Sequence, residues 1–221
     1  MTIFIHNHPY EIFIPRGTAK IIIGTLPPPR FSLGKLKERD VDFCYGSCDG
    51  MLWPALEKIF RLRLSYNNSA EAVQERKDFL IRRKLGICDI VESCRRDKVD
   101  ASDLGMKGIR LRNIIGQLKL HPTITTLIFT GGNSKNGPEY LFRRHLKEHG
   151  IILNCVNGEV PRVHQFLLEC RLLTTVSLTS PSNAANRSIG AAALYKRRKE
   201  KNPAYTTFDF RVEQYRKVLR L

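Results

Sequence analysis

Two features of this sequence predict an α/β fold with a mainly parallel, helix-covered sheet. Short β-branched runs lack polar alternation, and they interleave with segments of helical period. A third feature bears on function. Several of these runs end in Gly, Thr, Ser or Asn, and open α/β sheets bind ligands beyond the carboxyl ends of their strands.

Taken in order, residues 2–5 and 11–14 are short β-like runs separated by Asn7, His8 and Pro9, the layout of a hairpin. Lys20-Ile21-Ile22-Ile23 is continuous and stops at Gly24, as a strand buried on both faces would. Residues 25–50 form a long irregular stretch containing Pro27, Pro28, Pro29, Gly34, Gly46 and Gly50, and loops of that length are often functional. Met51, Leu52, Ala55, Leu56, Ile59 and Phe60 then fall at helical spacing, and residues 70–83 continue as a charged helix. Residues 85–91 read as an inner strand with Asp89 as its one charge. Residues 109–120 read as a helix, and 123–129 as a strand ending at Thr130-Gly131-Gly132-Asn133. Residues 138–149 are a helix stopped by Gly150, 151–156 a short strand, and 162–173 a helix. A strand over 174–178 runs into Thr179-Ser180-Pro181-Ser182-Asn183, and helices over 184–199 and 208–219 close the chain. There is no internal repeat, so one domain over residues 1–221 is expected.

Hydrophobic residues make up 42% of the 221, which suits a globular chain and excludes a mostly disordered one. No apolar run reaches the roughly 18 residues that a spanning helix needs. His6, His8 and Glu11 interrupt any signal-peptide layout. The expectation is an intracellular protein without a membrane partner, cytoplasmic and nucleoid-associated in a bacterium or nuclear in a eukaryote. Lys and Arg number 37 against 21 Asp and Glu, a net charge of +16. Such an excess attracts phosphate polyanions; the plain alternative is a merely basic surface. The basic run at residues 196–201 reads as a solvated helix end. The six cysteines are scattered and read as free thiols, and Cys44 and Cys48 lack a second ligand pair, so no metal site is expected.

The sequence has no G-x-x-x-x-G-K-[ST] loop, no G-x-G-x-x-G after the first long strand and no G-x-S-x-G elbow. The histidines do not cluster, and His145 and His149 read as part of a solvated helix face. Asp89 stands out, because a lone carboxylate in an apolar strand is costly to bury without a partner. It is either a satisfied core residue or a pocket acid that binds a ligand or activates water. For each polar strand end, ordinary turn chemistry and helix capping are the alternatives to ligand binding.

Four segments, in order, resemble motifs of the uracil-DNA glycosylase superfamily. Ile21-Ile22-Ile23-Gly24-Thr25-Leu26-Pro27 is similar to its first motif, a strand ending in Gly-x-x-Pro. The segment from Phe43 and Tyr45 through Asp49 and Gly50 to Trp53 and Pro54 resembles the Tyr-x-His-Pro-Arg-Asn-x-Phe-Trp segment of the mismatch-specific and hypoxanthine-DNA glycosylase branches. Gly86-Ile87-Cys88-Asp89-Ile90-Val91-Glu92 is similar to a strand of the thymine/mismatch branch, with Asp89 where that branch has Asn. Ser180-Pro181-Ser182 resembles the closing His-Pro-Ser or Asn-Pro-Ser loop, with Ser180 replacing the His or Asn.

The resemblance implies a three-layer α/β/α fold with a central, mainly parallel four-stranded sheet. It implies an enzyme that flips a deaminated or modified base out of DNA and hydrolyses its N-glycosidic bond, without metal or organic cofactor. In that reading Asp49 or Asp89 orients water, Tyr45 stacks on the base, and Gly24, Thr25 and Ser180 complete the base pocket. Pro27, Ser182, Asn183 and Arg187 contact DNA. Tyr45 as a core aromatic, and Ser182 or Asn183 as helix caps, are the plain alternatives. The expected partner is DNA holding a modified or mismatched base, bound by a monomer. A non-catalytic binding protein of the same fold is the second reading, and a small-molecule nucleosidase, disfavoured by the +16 charge, a third.

Overall fold

The structure, a computed structural model, describes residues 3–132 and 134–220. In chain order the elements are β1 (Phe4–Asn7), β2 (Lys20–Gly24), α1 (Pro29–Ser32), α2 (Leu52–Phe60), α3 (Ala70–Arg83), β3 (Leu85–Asp89), β4 (Val91–Arg96), β5 (Lys107–Leu111) and α4 (Ile114–Leu120). They continue with β6 (Thr126–Phe129), α5 (Pro138–Glu148), β7 (Asn154–Asn157), β8 (Arg162–Leu168), β9 (Arg171–Ser177), α6 (Asn186–Ala191), α7 (Ala193–Lys201) and α8 (Thr207–Leu219).

The main sheet has six strands in the order β3-β2-β6-β9-β8-β7. β3, β2, β6 and β9 run parallel, and β8 and β7 extend the sheet antiparallel. The four-stranded sheet expected from the resemblance is thus widened into a mixed sheet of six. Successive residues of a strand face opposite sides. Ile22, Ile87, Ile128 and Val176 therefore pack with the apolar residues of α2, α3 and α8, while Ile21, Ile23, Leu127 and Phe129 pack with those of α4 and α5. Both faces of β2 are buried, which is why it reads as an unbroken Ile run. Among the described residues no helix is long and apolar enough to cross a membrane.

The structure corrects several of the expected elements. Residues 162–173 form the β8–β9 hairpin, not a helix. Phe166 and Leu168 turn inward, and the two-residue turn is Glu169-Cys170, with φ of +49° and +62°, as a type I′ turn requires. The run over 85–91 is two strands: β3 ends at Asp89, and β4 leaves for a second sheet, ordered β1-β4-β5. Ile109 belongs to β5, and α4 starts only after Asn113, whose side chain caps it by accepting from the Gly116 N–H at 2.8 Å. β1 pairs with β4 rather than with residues 11–14, where Phe13 alone bridges to Ile87; Thr2 lies outside the described residues. The closing helix expected over 184–199 is split into α6 and α7 at Ala192. His145 is buried on α5, with its ring edge-on to His149. All six cysteines are free, with Cys44, Cys88 and Cys94 buried.

Candidate active site

A cleft of about 670 Å3 opens at the carboxyl ends of β2, β3, β6 and β9, where an open α/β sheet holds its ligands. Asp89, the last residue of β3, lines it with a side chain only 6% exposed. The partner that makes this burial tolerable is His8, whose side chain is fully buried and whose Nε2 lies 2.9 Å from Asp89 Oδ2. The Tyr10 backbone N–H donates to His8 Nδ1 at 3.0 Å. That bond makes Nδ1 an acceptor, so the ring proton sits on Nε2 and is donated to Asp89. Asp89 Oδ1 takes no hydrogen bond among the described residues and is left to accept one from a ligand.

Gly24 pairs with Asp89 across β2 and β3, and the position has no room for a side chain. A Cβ there would fall 2.9 Å from Tyr45 Cζ and closer still to Asp89 Oδ1 and the Tyr45 hydroxyl. Tyr45 has φ of +57°, a left-handed conformation that costs an aromatic residue about 1–2 kcal/mol. The turn is tied by Val41 N–H donating to Gly46 O at 2.8 Å, and the Tyr45 hydroxyl lies 2.9 Å from Thr130 Oγ1 at the end of β6. Burial, and secondly the Asp89 charge, push the phenol well above its usual range and keep it protonated.

The long segment before α2 forms one wall of the cleft and is held by Asp40. This buried carboxylate receives Arg30 Nε at 2.6 Å and Nη2 at 2.8 Å, and the backbone N–H groups of Lys37 and Cys48. Burial works against the charge, but these four donors hold Asp40 well below the usual carboxylate range. Asp49 sits at the rim of the cleft, 58% exposed, with Lys37 Nζ at 2.8 Å and Arg30 Nη2 at 3.4 Å.

The opposite wall is the loop after β9. Arg211 of α8 is fully buried with no carboxylate partner among the described residues, and instead donates from Nε to Ser180 O at 2.9 Å and from Nη2 to Ser182 O at 2.6 Å and Asn186 Oδ1 at 2.8 Å. The Met51 N–H donates to Pro181 O at 2.9 Å. Ser180 Oγ donates to Ser182 Oγ at 3.1 Å, and the Ser182 side chain makes no helix cap. Arg211→Met should leave several buried carbonyls unpaired and lower stability by about 2–4 kcal/mol, to be read from chemical denaturation.

The cleft thus gathers Gly24, Thr25, Pro27, Tyr45, Asp49, Asp89, Ser180, Ser182 and Asn183; Arg187, exposed on α6, does not line it. Thr130 lines the cleft as one of the polar strand ends marked in the sequence, though no role was assigned to it there. Sequence reasoning missed His8, Arg211 and Asp103, a further carboxyl in the lining, and these three carry no local signal.

No protein-family model matches this chain, and no curated protein matches it. A solved structure does: the solution NMR structure of a "putative uracil DNA glycosylase" from Methanosarcina acetivorans. It aligns with a TM-score of 0.53 at 14% identity, over 95% of this chain and 99% of that one. At that identity the likeness is one of fold: the chain shares the mixed α/β fold of that archaeal protein.

Proposed function

We propose that the protein is a DNA glycosylase, which takes up a deaminated or modified base flipped out of DNA and hydrolyses its N-glycosidic bond. The observation that carries this reading is the buried Asp89–His8 pair at the strand ends of a cleft large enough for a nucleoside, in a fold shared with the archaeal protein. Asp89 Oδ1 holds a base edge that presents a hydrogen-bond donor. Tyr45 packs against the base, and Gly24 and Thr25 let it approach the backbone. Breaking the bond leaves positive charge on the sugar, which carboxylates in a cleft shielded from water stabilise, so neither metal nor organic cofactor enters the step. Asp49 remains at the rim, where an exposed carboxylate can meet the sugar or solvent. Pro27, Ser182 and Asn183 lie where the DNA backbone would pass, with Arg187 and the cations of α7 beyond them. The Tyr45–Trp53 segment and the Asp89 strand align the protein with the mismatch-specific and hypoxanthine-DNA branches, acting as a monomer.

Incubating the protein with oligonucleotides that each hold one modified base, then cleaving abasic sites with alkali, tests the reading. Scission is expected for bases presenting a donor to Asp89. The Ser180 hydroxyl, spent on Ser182 rather than aimed at a leaving base, favours a second reading, a non-catalytic DNA-binding protein. Tight binding with no scission on any oligonucleotide would support it. Under either reading DNA affinity should fall steeply with salt, by about 10³-fold between roughly 50 and 200 mM if about six phosphates are neutralised. A flat salt response measured by fluorescence anisotropy would remove the +16 charge from the argument.

A further inference from the structure

A further, half-buried carboxyl group faces the cleft from the smaller sheet. Asp103 begins a 3-10 turn, Asp103–Gly105, between β4 and β5, and it lines the cleft together with Asp89. Its placement is fixed from four sides. Arg96 of β4, almost wholly buried, donates from Nη1 to Ser102 O at 2.6 Å, while its Nε donates to His6 Nδ1 at 3.0 Å. Burial, with the nearby Arg96 and His8, brings His6 down to about 4, so His6 stays neutral and able to accept that bond at physiological pH. Asn136 Nδ2 donates to Asp103 O at 2.9 Å, and the Thr25 hydroxyl donates to Asp103 Oδ2 at 3.3 Å. Asp103 has no ion pair among the described residues.

Three carboxylates therefore line the cleft, in three different environments. Asp49 is exposed, and the Lys37 ammonium bonded to it holds it below the ordinary range, which makes it a poor base. Asp89 has one oxygen committed to His8 and the other set against Gly24. Asp103 alone is half-buried without an ion pair among the described residues, and it is anchored through a single hydroxyl with its second oxygen uncommitted. We propose that Asp103 is the general base of the excision step, taking a proton from the attacking water while Asp89 holds the base. This inference rests on the glycosylase reading above. In the step, Asp103 removes a proton from water and the water oxygen bonds to the sugar C1′. The C1′–N bond breaks with its electron pair going to the base, which then gains a proton from solvent; Asp103 later releases its own proton to solvent.

The groups facing Asp103 set its titration. Burial chiefly, and the Asp89 charge, push it up to about 6; the Thr25 hydrogen bond and the Arg96 charge pull the other way. The Cys94 thiol of β4 lies within reach of the same charge. A carboxylate poised near 6 is mostly ionised at neutral pH and is a stronger base than an ordinary aspartate. Since the ionised form acts, the rate rises with pH through about 6 and then levels.

The test is single-turnover excision of the base identified by the oligonucleotide panel, followed from about pH 5 to about pH 8 for wild type, Asp103→Asn and Thr25→Val. Melting temperature and affinity for the same DNA are measured alongside. Asp103→Asn should lose about 10²–10⁴-fold of the plateau rate and the dependence on pH, with DNA affinity nearly unchanged. Thr25→Val removes a bond that favours the charged form, so its inflection should move upward; it carries the test if Asp103→Asn folds poorly. An Asp103→Asn variant with the wild-type rate and inflection overturns the assignment and leaves the glycosylase reading standing. Equal losses of rate and affinity also overturn it, since the group then binds rather than acts. A wild-type protein that excises no base from the panel removes both.

Discussion

Gly24→Ala is expected to reduce base excision by about 10²-fold or more while the fold persists. The added methyl group would lie against the Tyr45 ring and inside contact distance of Asp89 Oδ1 and the Tyr45 hydroxyl, so something must move. None of the three can do so freely. β2 is hydrogen-bonded between β3 and β6, and Ile90 N–H donates to Gly24 O at 3.0 Å. Asp89 is held by His8, and Tyr45 by Thr130 and its left-handed turn. Overpacking of this kind costs about 1–3 kcal/mol, and a displacement on the order of 1 Å in the group proposed to hold the base is felt mainly in the rate. Single-turnover excision and thermal melting on the same sample separate the two effects. Wild-type turnover in this variant would mean that the chemistry lies away from the Asp89 end of the cleft.

The main sheet was legible in the sequence because its inner strands are buried on both faces. Residues 20–24, 85–89 and 126–129 could only be apolar runs, and runs stopped by Gly, Asp or Thr mark strand ends. The β8–β9 hairpin was illegible for two physical reasons. Its outward positions include Leu167 and Leu172, which stay exposed, so the alternation of an edge hairpin is blurred into an apparent helical spacing. Its turn is made by Glu169 and Cys170 rather than by the Asn-Gly pair that usually marks a type I′ turn. The site divides along the same line. Gly24, Thr25, Asp89 and Ser180 stand at strand ends, and the rule about carboxyl ends finds them. His8 and Asp103 enter from the β1-β4-β5 sheet and meet the main sheet across 81 and 78 residues of chain. No local pattern marks such a contact. Asp89 looked unexplained in the sequence because its partner lay in a segment read as a turn.

Asp89→Asn is expected to change which base is excised, and not only how fast. With His8 fixed as a donor by the Tyr10 N–H, the new amide must turn its oxygen toward His8 Nε2. Its NH2 group then occupies the position of Asp89 Oδ1, so a donor faces the cleft where an acceptor stood. A base edge that offered a donor now meets another donor, and both are left unpaired in a buried place. Sites built around one such hydrogen bond discriminate by up to about 10⁴-fold, so preference for the native base should fall by about 10³-fold or more, and bases presenting an acceptor should gain. In the double variant His8→Ala, Asp89→Asn nothing orients the amide, and the new preference should weaken. The measurement is the ratio of single-turnover rates on paired oligonucleotides that differ only in the base. A uniform loss of rate with the preference unchanged would mean that Asp89 acts on the water or the sugar rather than on the base.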